Sequence, residues 1–253
     1  MNFGNCASDI ESKNIKTAWS TTILTLYPNM FPGPLAHSLA GRALKKGIWS
    51  LTTINIRDYA KSTYKSVDDE PFGGGPGMVM RPDVLASAID ASITDHFAPI
   101  IYLTPRCKPL KQSRIKEISE GTGVNLICGR FEGIDERIFR RRHIEEISIG
   151  DYVLSGGEIA ALNIIDACVR LLPGVMNTAK SLAEESFANG LLEYPQYTRP
   201  RYFEGEEVPE VLLSGNHARI QSWRQSQAKK ITRERRSDLW AERNSNCLTT
   251  RIK

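Results

Sequence analysis

Short apolar runs rich in β-branched residues alternate with longer segments of helical apolar spacing over the first two thirds of the chain. The short runs predict strands at residues 21–26, 51–56, 99–103 and 124–128. The longer segments predict helices at residues 34–46, 82–95 and 109–121, each opening with a proline, which suits the first helical turn. Strands that alternate with helices in this way predict an α/β domain with a mainly parallel sheet.

A glycine-rich segment, SIGDYVLSGGE at residues 148–158, is the most informative local pattern. It interrupts an apolar run, and a helical pattern at residues 159–172 follows directly. A strand that ends in such a loop at a helix start presents backbone N–H and C=O groups to a ligand. The spacing is neither GxGxxG nor that of a P-loop, so it predicts neither of the usual nucleotide sites. The alternative is an ordinary strand-to-helix turn.

The hydrophobic pattern changes after Leu172. Residues 175–190 are small, polar and weakly periodic, as expected of an interdomain linker, and helical patterns return at about residues 217–230 and 232–243. We therefore predict an α/β domain at residues 21–174 and a small helical domain at residues 191–253. So few residues make a marginal core, and the small domain is expected to lean on the first domain or on a second subunit. Residues 1–20 are predicted to be a disordered extension.

Composition is that of a globular protein. The 253 residues are 41% hydrophobic and 25% charged, and they contain neither a membrane-spanning apolar stretch nor a signal-peptide pattern near the first residue. The five cysteines are odd in number and form no CxxC pair, so we predict reduced thiols in a cytosolic protein without a zinc site. The four histidines show no metal-ligand spacing.

Positive charge is concentrated near the end of the chain. Residues 217–236 hold seven basic side chains against Glu234 alone, a balance of +6 in a chain whose net charge is +4. Such a cluster indicates a polyanion partner, and the alternative is a solvated helix face. Trp223 lies within it, and we expect a core anchor rather than a stacking platform, because a single aromatic makes no stacking surface.

Three motifs in order carry a resemblance to a known family. GGGPGM at residues 73–78, CGRFEGIDER at 128–137 and SIGDYVLSGGE resemble the bacterial tRNA (guanine-N1)-methyltransferases that modify guanosine 37 beside the anticodon. Three further runs match the same family: ESF at 185–187, YTRP at 197–200 and VLLSGNH at 211–217. The resemblance extends from about residue 21 to about residue 236.

The resemblance implies a SPOUT-type fold, in which the C-terminal part of the α/β domain threads into a trefoil knot, plus a small helical C-terminal domain. It implies a cytoplasmic homodimer, with each site shared between the N-terminal domain of one subunit and the C-terminal domain of the other. The implied methyl donor is S-adenosylmethionine, with magnesium assisting catalysis. The implied partner is a tRNA whose guanosine 37 is preceded by a guanosine.

The family's donor-binding positions fall on the glycine-rich loops of this chain. Further donor-binding positions are expected because adenine needs a flat apolar slot with backbone hydrogen-bond partners. The expected donor-binding residues are Leu103, Thr104, Pro105, Gly129, Glu132, Ile149, Gly150, Asp151, Tyr152, Val153, Leu154, Gly156 and Gly157. The glycines of SIGDYVLSGGE are expected to let the backbone approach the ligand where a Cβ would collide. Phe131 departs from the family pattern, which has a tyrosine there.

Methylating N1 of guanine requires loss of the N1 proton and stabilisation of the charge that develops on O6. The resemblance points to Glu185 as the proton acceptor, although the family has an aspartate at this position, one methylene shorter. A carboxylate is a weak base for this proton unless burial raises its pKa. Arg170 matches the family arginine expected to stabilise O6, and its alternative role is a helix C-terminal cation facing the macrodipole.

Substrate contacts are expected from two further sets of residues. Asp69 and Arg130 are expected to shape the guanine pocket. Phosphate contacts, with strong salt dependence, are expected from Arg219, Arg224, Lys229 and Lys230.

Three alternatives compete with this interpretation. The first is a methyltransferase acting on another RNA position, which the GGGPG, CGRFEGIDER and EESF motifs argue against. The second is a methyltransferase-fold RNA-binding protein whose catalysis is weakened or lost through the change to Glu185, which the intact SIGDYVLSGGE loop argues against. The third is an unrelated phosphate-binding enzyme, which would require a lysine and a hydroxyl partner that GGGPG lacks.

Overall fold

The computed structural model describes residues 18–250 except residues 94, 96 and 177–183, with side chains described as far as residue 245. The strands up to residue 176 are β1 (Trp19–Thr25), β2 (Trp49–Asn55), β3 (Asp68–Asp69), β4 (Val79–Met80), β5 (Ile100–Leu103), β6 (Gly123–Ile127) and β7 (Ile144–Ile147). The α-helices of the same part are α1 (Ser38–Lys45), α2 (Pro82–Ser92), α3 (Gln112–Glu120) and α4 (Gly157–Val169).

A parallel sheet with the strand order β2-β1-β6-β5-β7 forms the centre of this part. The predicted α/β class with a mainly parallel sheet is confirmed. Side chains alternate between two cores: Ile23 of β1 and Leu126 of β6 face one, while Leu24 and Ile127 face the other. Helices α1, α3 and α4 cover the first face of the sheet, and α2 covers the second. All five residues of β6 are buried, as expected of a central strand covered on both faces.

The predicted elements lie in the right places, with shifted ends. Strand β1 begins at Trp19, so the last two residues of the predicted disordered extension belong to the sheet. The helix predicted from Pro34 begins instead at Ser38, because residues 33–36 form a 3₁₀ turn. The helix predicted from Pro109 begins at Gln112. Residues 1–17, together with residue 94 of the predicted helix 82–95, lie outside the described residues.

The connection from β6 to β7 is unusual for an α/β sheet. These strands flank β5, so residues 128–143 pass from one side of β5 to the other. The connection carries the 3₁₀ turn Glu136–Ile138 where an α-helix is the usual crossover. The trefoil knot implied by the family stays a prediction.

The chain divides into two units after Met176. The second unit contains β8 (Tyr202–Phe203) and β9 (Glu206–Glu207), which pair antiparallel, followed by α5 (Glu210–Leu213), α6 (His217–Arg235) and α7 (Ser237–Thr250). The break predicted near residue 231 is wrong, because α6 continues to Arg235, with Arg236 as its C-cap. Residues 177–183 of the predicted linker lie outside the described residues.

Few side chains are buried in the second unit. Among its described residues, Ala228 and Thr232 are the buried ones. The Thr232 hydroxyl donates to the Ala228 carbonyl oxygen at 2.7 Å and accepts from the Leu192 N–H at 2.8 Å, which ties the incoming chain to α6. A hydrogen-bonded threonine therefore helps to hold this unit together, whereas the first unit is held mainly by apolar packing.

Candidate active site

Three loops begin side by side at the carboxyl ends of β6, β5 and β7. The sheet register places Tyr102 beside Ile127 and Leu103 beside Ile147. Beyond the strands the loops stay joined, since the Thr104 N–H donates to the Ile147 carbonyl oxygen at 3.0 Å. Residues 103–105, Gly129 and residues 149–154 are thus neighbours, as their assignment to one ligand requires. In open parallel sheets this edge is where ligands bind.

The loop from 148 to 156 is anchored at one end and open at its tip. The buried Ser148 hydroxyl bonds both the N–H and the C=O of Gly150, at 3.1 and 2.9 Å, which closes a tight turn. Ile149 packs against the core, whereas residues 151–155 are exposed. Among the described residues, the backbone N–H groups of Tyr152, Val153 and Leu154 have no protein acceptor. The tip therefore offers free donors beside apolar side chains.

The glycines of these loops lie against other protein atoms, and their expected close approach to a ligand stays a prediction. A Cβ on Gly157 would lie 2.8 Å from Cys128 Cα, and the Gly157 N–H donates to the Gly129 carbonyl oxygen at 3.0 Å. A Cβ on Gly129 would lie 2.7 Å from the Tyr102 ring. A Cβ on Gly156 would meet the Arg130 side chain, and one on Gly150 the Tyr152 ring. The loops are packed on one another at van der Waals limits.

The GGGPGM segment forms the turn of the β3–β4 hairpin and ends on the loop after β6. The Glu132 N–H donates to the Met78 carbonyl oxygen, and the Met80 N–H to that of Gly133, each at 2.9 Å. Gly77 lies against the Glu132 side chain, which is exposed. Asp69 is exposed at the hairpin start and accepts from the Glu70 N–H. The structure therefore brings this hairpin to the loops above.

Arg130 points into the protein and is largely covered. Its Nη1 donates to the Ser155 carbonyl oxygen at 3.0 Å, and its guanidinium carbon lies 4.4 Å from the centre of the Tyr27 ring. Its Nε lies 2.9 Å from Oε2 of Glu158, a carboxylate with no exposed surface. These neighbours of Arg130 escaped the sequence analysis. The sequence signal that could have indicated them is Glu158, a charged residue in the first turn of a helix whose buried face is otherwise small or apolar.

Two titratable side chains lie beneath the loops. Burial raises the pKa of the Cys128 thiol well above its usual range, and the nearby Glu158 carboxylate raises it further. Burial also raises the pKa of the Tyr102 phenol. Both groups are therefore protonated at neutral pH, so Cys128 is a packing residue and not a nucleophile.

The two predicted catalytic residues belong to different units. Arg170 is half-buried at the C-cap of α4, where the alternative role expected it. Glu185 is half-buried within a turn in which its carbonyl oxygen accepts from the Ala188 N–H. The next turn folds back as well, with the Phe187 N–H donating to the Leu191 carbonyl oxygen at 2.7 Å.

The predicted phosphate contacts differ in exposure. Arg219 and Lys230 are exposed on α6, and Lys229 is half-buried. Arg224 is half-buried, with its guanidinium 4.7 Å from the Tyr194 ring centre and 3.7 Å from the Glu184 carboxylate. These contacts hold Arg224 within its own unit, so it is the least available of the four for phosphate.

A cavity of about 460 Å³ opens beside Arg224, walled by aromatic and arginine side chains that include Tyr194, Tyr197, Arg199, Arg201 and Trp223. Trp223 is half-buried, and its ring centre lies 6.2 Å from that of Tyr197. The expectation of a core anchor is met only in part, because the indole packs beside Tyr197 but keeps exposed surface on the cavity.

Residues 20–242 match the family described as tRNA (guanine-1)-methyltransferase TrmD. This chain belongs to that family. A protein of Rhodopseudomonas palustris (strain HaA2) named tRNA (guanine-N(1)-)-methyltransferase is 60% identical over 226 residues, which are 89% of this chain and 90% of that protein. A protein of the same name from Zymomonas mobilis is 61% identical over 223 residues, 88% of this chain and 90% of that protein. One from Nitrobacter winogradskyi is 59% identical over 225 residues, 89% and 94% of the two chains.

The tRNA (guanine-1)-methyltransferase match takes in the three loops, both predicted catalytic residues and all of α6. No helix within the described residues is both long and apolar enough to cross a membrane. In the same part of the chain, His, Cys, Asp and Glu side chains form no group of three or more that could hold a metal ion.

Proposed function

We propose that this protein transfers the methyl group of S-adenosylmethionine to N1 of guanosine 37 in tRNA, beside the anticodon. Membership of the tRNA (guanine-1)-methyltransferase family supports the reaction class. The observation that carries the proposal is the convergence of the family's glycine-rich motifs at the carboxyl ends of β5, β6 and β7.

The residues at this edge fit the donor. An adenine ring needs an apolar slot and backbone partners along its edge. In the proposal, Leu103 and Ile149, which pack against the core at this edge, give the slot its apolar walls, and the free N–H groups of residues 152–154 supply donors. The exposed Glu132 carboxylate lies on the neighbouring loop, where it would attract the cationic end of the donor. When bound, S-adenosylmethionine supplies an electrophilic methyl group on its sulfonium.

The remaining steps fall to the protein's own side chains. In the proposal, Glu185 accepts the N1 proton, which leaves a nucleophilic ring nitrogen. Arg170 then stabilises the negative charge on O6, as a fixed cation in a dry site does. The extra methylene of Glu185 lengthens its reach relative to the family aspartate, so we expect retained but slower chemistry. A positioned base of this kind is worth on the order of 10²–10⁴-fold in rate.

Contacts to the tRNA backbone are proposed for Arg219, Lys229, Lys230 and Arg224, with the smallest contribution from Arg224 because Tyr194 and Glu184 already engage it. Asp69 is proposed to reach the guanine from the β3–β4 hairpin. We further propose a cytoplasmic homodimer with shared sites, a trefoil knot and assistance by magnesium, each on the strength of the family. A guanosine preceding guanosine 37 is part of the same proposal.

The test is methyl transfer from labelled S-adenosylmethionine to an unmodified tRNA transcript with guanosine 37, against the same transcript with adenosine 37. The Glu185→Ala and Glu185→Asp enzymes are measured alongside. Glu206→Ala, which removes an exposed carboxylate on β9, is the matched control. We expect guanosine-dependent transfer that falls at least about 100-fold in Glu185→Ala and persists in Glu185→Asp and the control.

Two outcomes contradict the proposal. Equal transfer to the adenosine transcript would place the reaction at another nucleotide. Donor binding without any transfer by the unaltered protein would favour a methyltransferase-fold protein that binds RNA and has lost catalysis at Glu185.

A further inference from the structure

Glu158 is a buried carboxylate that the proposed reaction does not use. It is the second residue of α4, and its side chain has no exposed surface. A buried carboxylate is costly unless nearby groups compensate its charge. Its neighbours therefore indicate what the residue is for.

Three features compensate the charge. The Thr25 hydroxyl at the end of β1 donates to Oε1 at 2.8 Å. The Arg130 Nε lies 2.9 Å from Oε2, and the first turn of a helix favours negative charge. Among the described residues, neither Nε nor Oε2 has a hydrogen-bond partner of good geometry. The contact between them is thus an ion pair held by charge rather than by an aligned hydrogen bond.

Arg130 carries this link onward to the loop proposed to bind the donor. Its Nη1 donates to the Ser155 carbonyl oxygen at 3.0 Å, while the Tyr27 ring covers the guanidinium. The Tyr27 N–H in turn donates to the Thr25 hydroxyl oxygen at 2.9 Å. The contacts form a closed circuit that joins the end of β1, the loop after β6, the loop after β7 and the start of α4.

A direct chemical role for Glu158 does not fit this geometry. Both carboxylate oxygens face protein groups, and the side chain is closed to solvent. It can therefore act on a ligand only through Arg130 and the Ser155 carbonyl.

We propose that Glu158 is a positioning residue for methyl-donor binding. Its charge fixes the Arg130 guanidinium, which holds the Ser155 carbonyl and so sets the shape of residues 151–155 before the donor arrives. This inference rests on the proposed function, because it takes that loop as the donor site. A loop held in its bound shape loses less entropy on binding, so the circuit favours affinity.

The test is calorimetric titration with S-adenosylhomocysteine, the product form of the donor, which requires no tRNA and no turnover. Glu158→Gln keeps the side-chain volume and the acceptor for Thr25 but removes the charge. We expect its affinity to fall about tenfold, as expected for losing a buried ion pair that preorganises a loop. In turnover, the KM for the donor should rise while the KM for tRNA stays within about twofold.

A second variant and a double variant separate this role from a merely structural one. Arg130→Lys keeps a cation near Glu158 but cannot also reach the Ser155 carbonyl, so we expect a similar loss of affinity. Because both changes break one circuit, the double variant should bind about as weakly as either single variant. Leu85→Ala, in the core on the other face of the sheet, is the stability control and should lower the melting temperature without lowering affinity.

Three results overturn the inference: unchanged affinity in Glu158→Gln and Arg130→Lys, losses that add in the double variant, or an equal loss in Leu85→Ala. Failure of the proposed function looks different. A protein that binds the homocysteine product and shows these effects but does not methylate guanosine 37 would retain the inference about Glu158 and lose only the reaction. A protein that does not bind it at all would lose both.

Discussion

Glycine is required for different reasons in two regions of the first unit, the β3–β4 hairpin turn and the loops after β6 and β7. Gly73, Gly74 and Gly75 have positive φ angles and no neighbouring atom within 4 Å of an added Cβ, so the backbone conformation is what requires glycine. Gly129 and Gly157 are required by space, because a Cβ on either would overlap protein atoms. Glycine motifs that look equivalent in the sequence therefore meet different requirements, one of backbone conformation and one of space.

The difference bears on function. Residues 128–130 and 156–158 contact one another closely, so we expect the proposed donor site to be preformed. An added Cβ at residues 73–75 would meet no neighbouring atom, so we expect this turn to tolerate added volume. We therefore expect donor binding to weaken when volume is added to the loops after β6 and β7. In the β3–β4 hairpin, we expect stability to depend on how well the new residue adopts a positive φ angle.

The largest effect is expected from Gly157→Ala. The new Cβ would lie 2.8 Å from Cys128 Cα and 3.1 Å from the Gly129 nitrogen, and backbone cannot yield as a side chain can. We expect about 1–3 kcal/mol of destabilisation in chemical unfolding and at least a tenfold loss of donor affinity. Gly121→Ala at the end of α3, where contacts are ordinary, is the control and should stay within about 0.5 kcal/mol. Normal binding by Gly157→Ala would refute the expectation of a preformed donor site.

Gly129→Ala should have a smaller effect because its neighbour is a side chain. The added Cβ overlaps the Tyr102 ring at 2.7 Å, and an aromatic ring can shift by a few tenths of an ångström. We expect a loss of stability of about 1 kcal/mol, measured by chemical unfolding. Adding Tyr102→Leu should recover part of that loss if overlap is the cause. Strictly additive losses in the double variant would point to another cause.

Gly74→Ala tests the other region and should spare the donor site. At φ +74° an alanine is strained by roughly 1–2 kcal/mol, whereas asparagine tolerates this conformation better. We therefore expect Gly74→Asn to be the more stable variant, and both variants to bind S-adenosylhomocysteine as the unaltered protein does. A loss of donor affinity in either variant would remove the distinction between the two regions.

The smallest expected effect is on the chemical reactivity of Cys128. Its alkylation measures whether the loops after β6 and β7 stay closely packed. Burial raises the pKa of its thiol well above the usual range, so the reactive thiolate is absent at pH 7.5 and alkylation should require unfolding. Cys168, whose pKa burial raises to about 12, is the internal control in the same core. Mass spectrometry after brief iodoacetamide treatment should find both unmodified. In Gly157→Ala, modification of Cys128 but not Cys168 would locate the disturbance at the loops.

The sequence could predict the strands, helices and motif order because these depend on local periodicity and on residues close in the chain. It could not predict the contacts of Glu158, since Thr25 and Arg130 lie 133 and 28 positions away in the sequence and meet it only in the fold. The partial exposure of Trp223 could not be predicted for a related reason, because how far an indole is enclosed depends on segments distant in the sequence.

The sequence by itself determined the α/β class and the family, because alternating hydrophobic periods and short motifs are properties of the chain. It also suggested the residues of the proposed site, which stay predictions. Only the tertiary structure decided which glycines serve conformation and which serve space, and that Glu158 supports the loop through Arg130. Such decisions depend on the distances between segments remote in sequence, and packing at van der Waals limits fixes those distances only when the whole sheet is assembled.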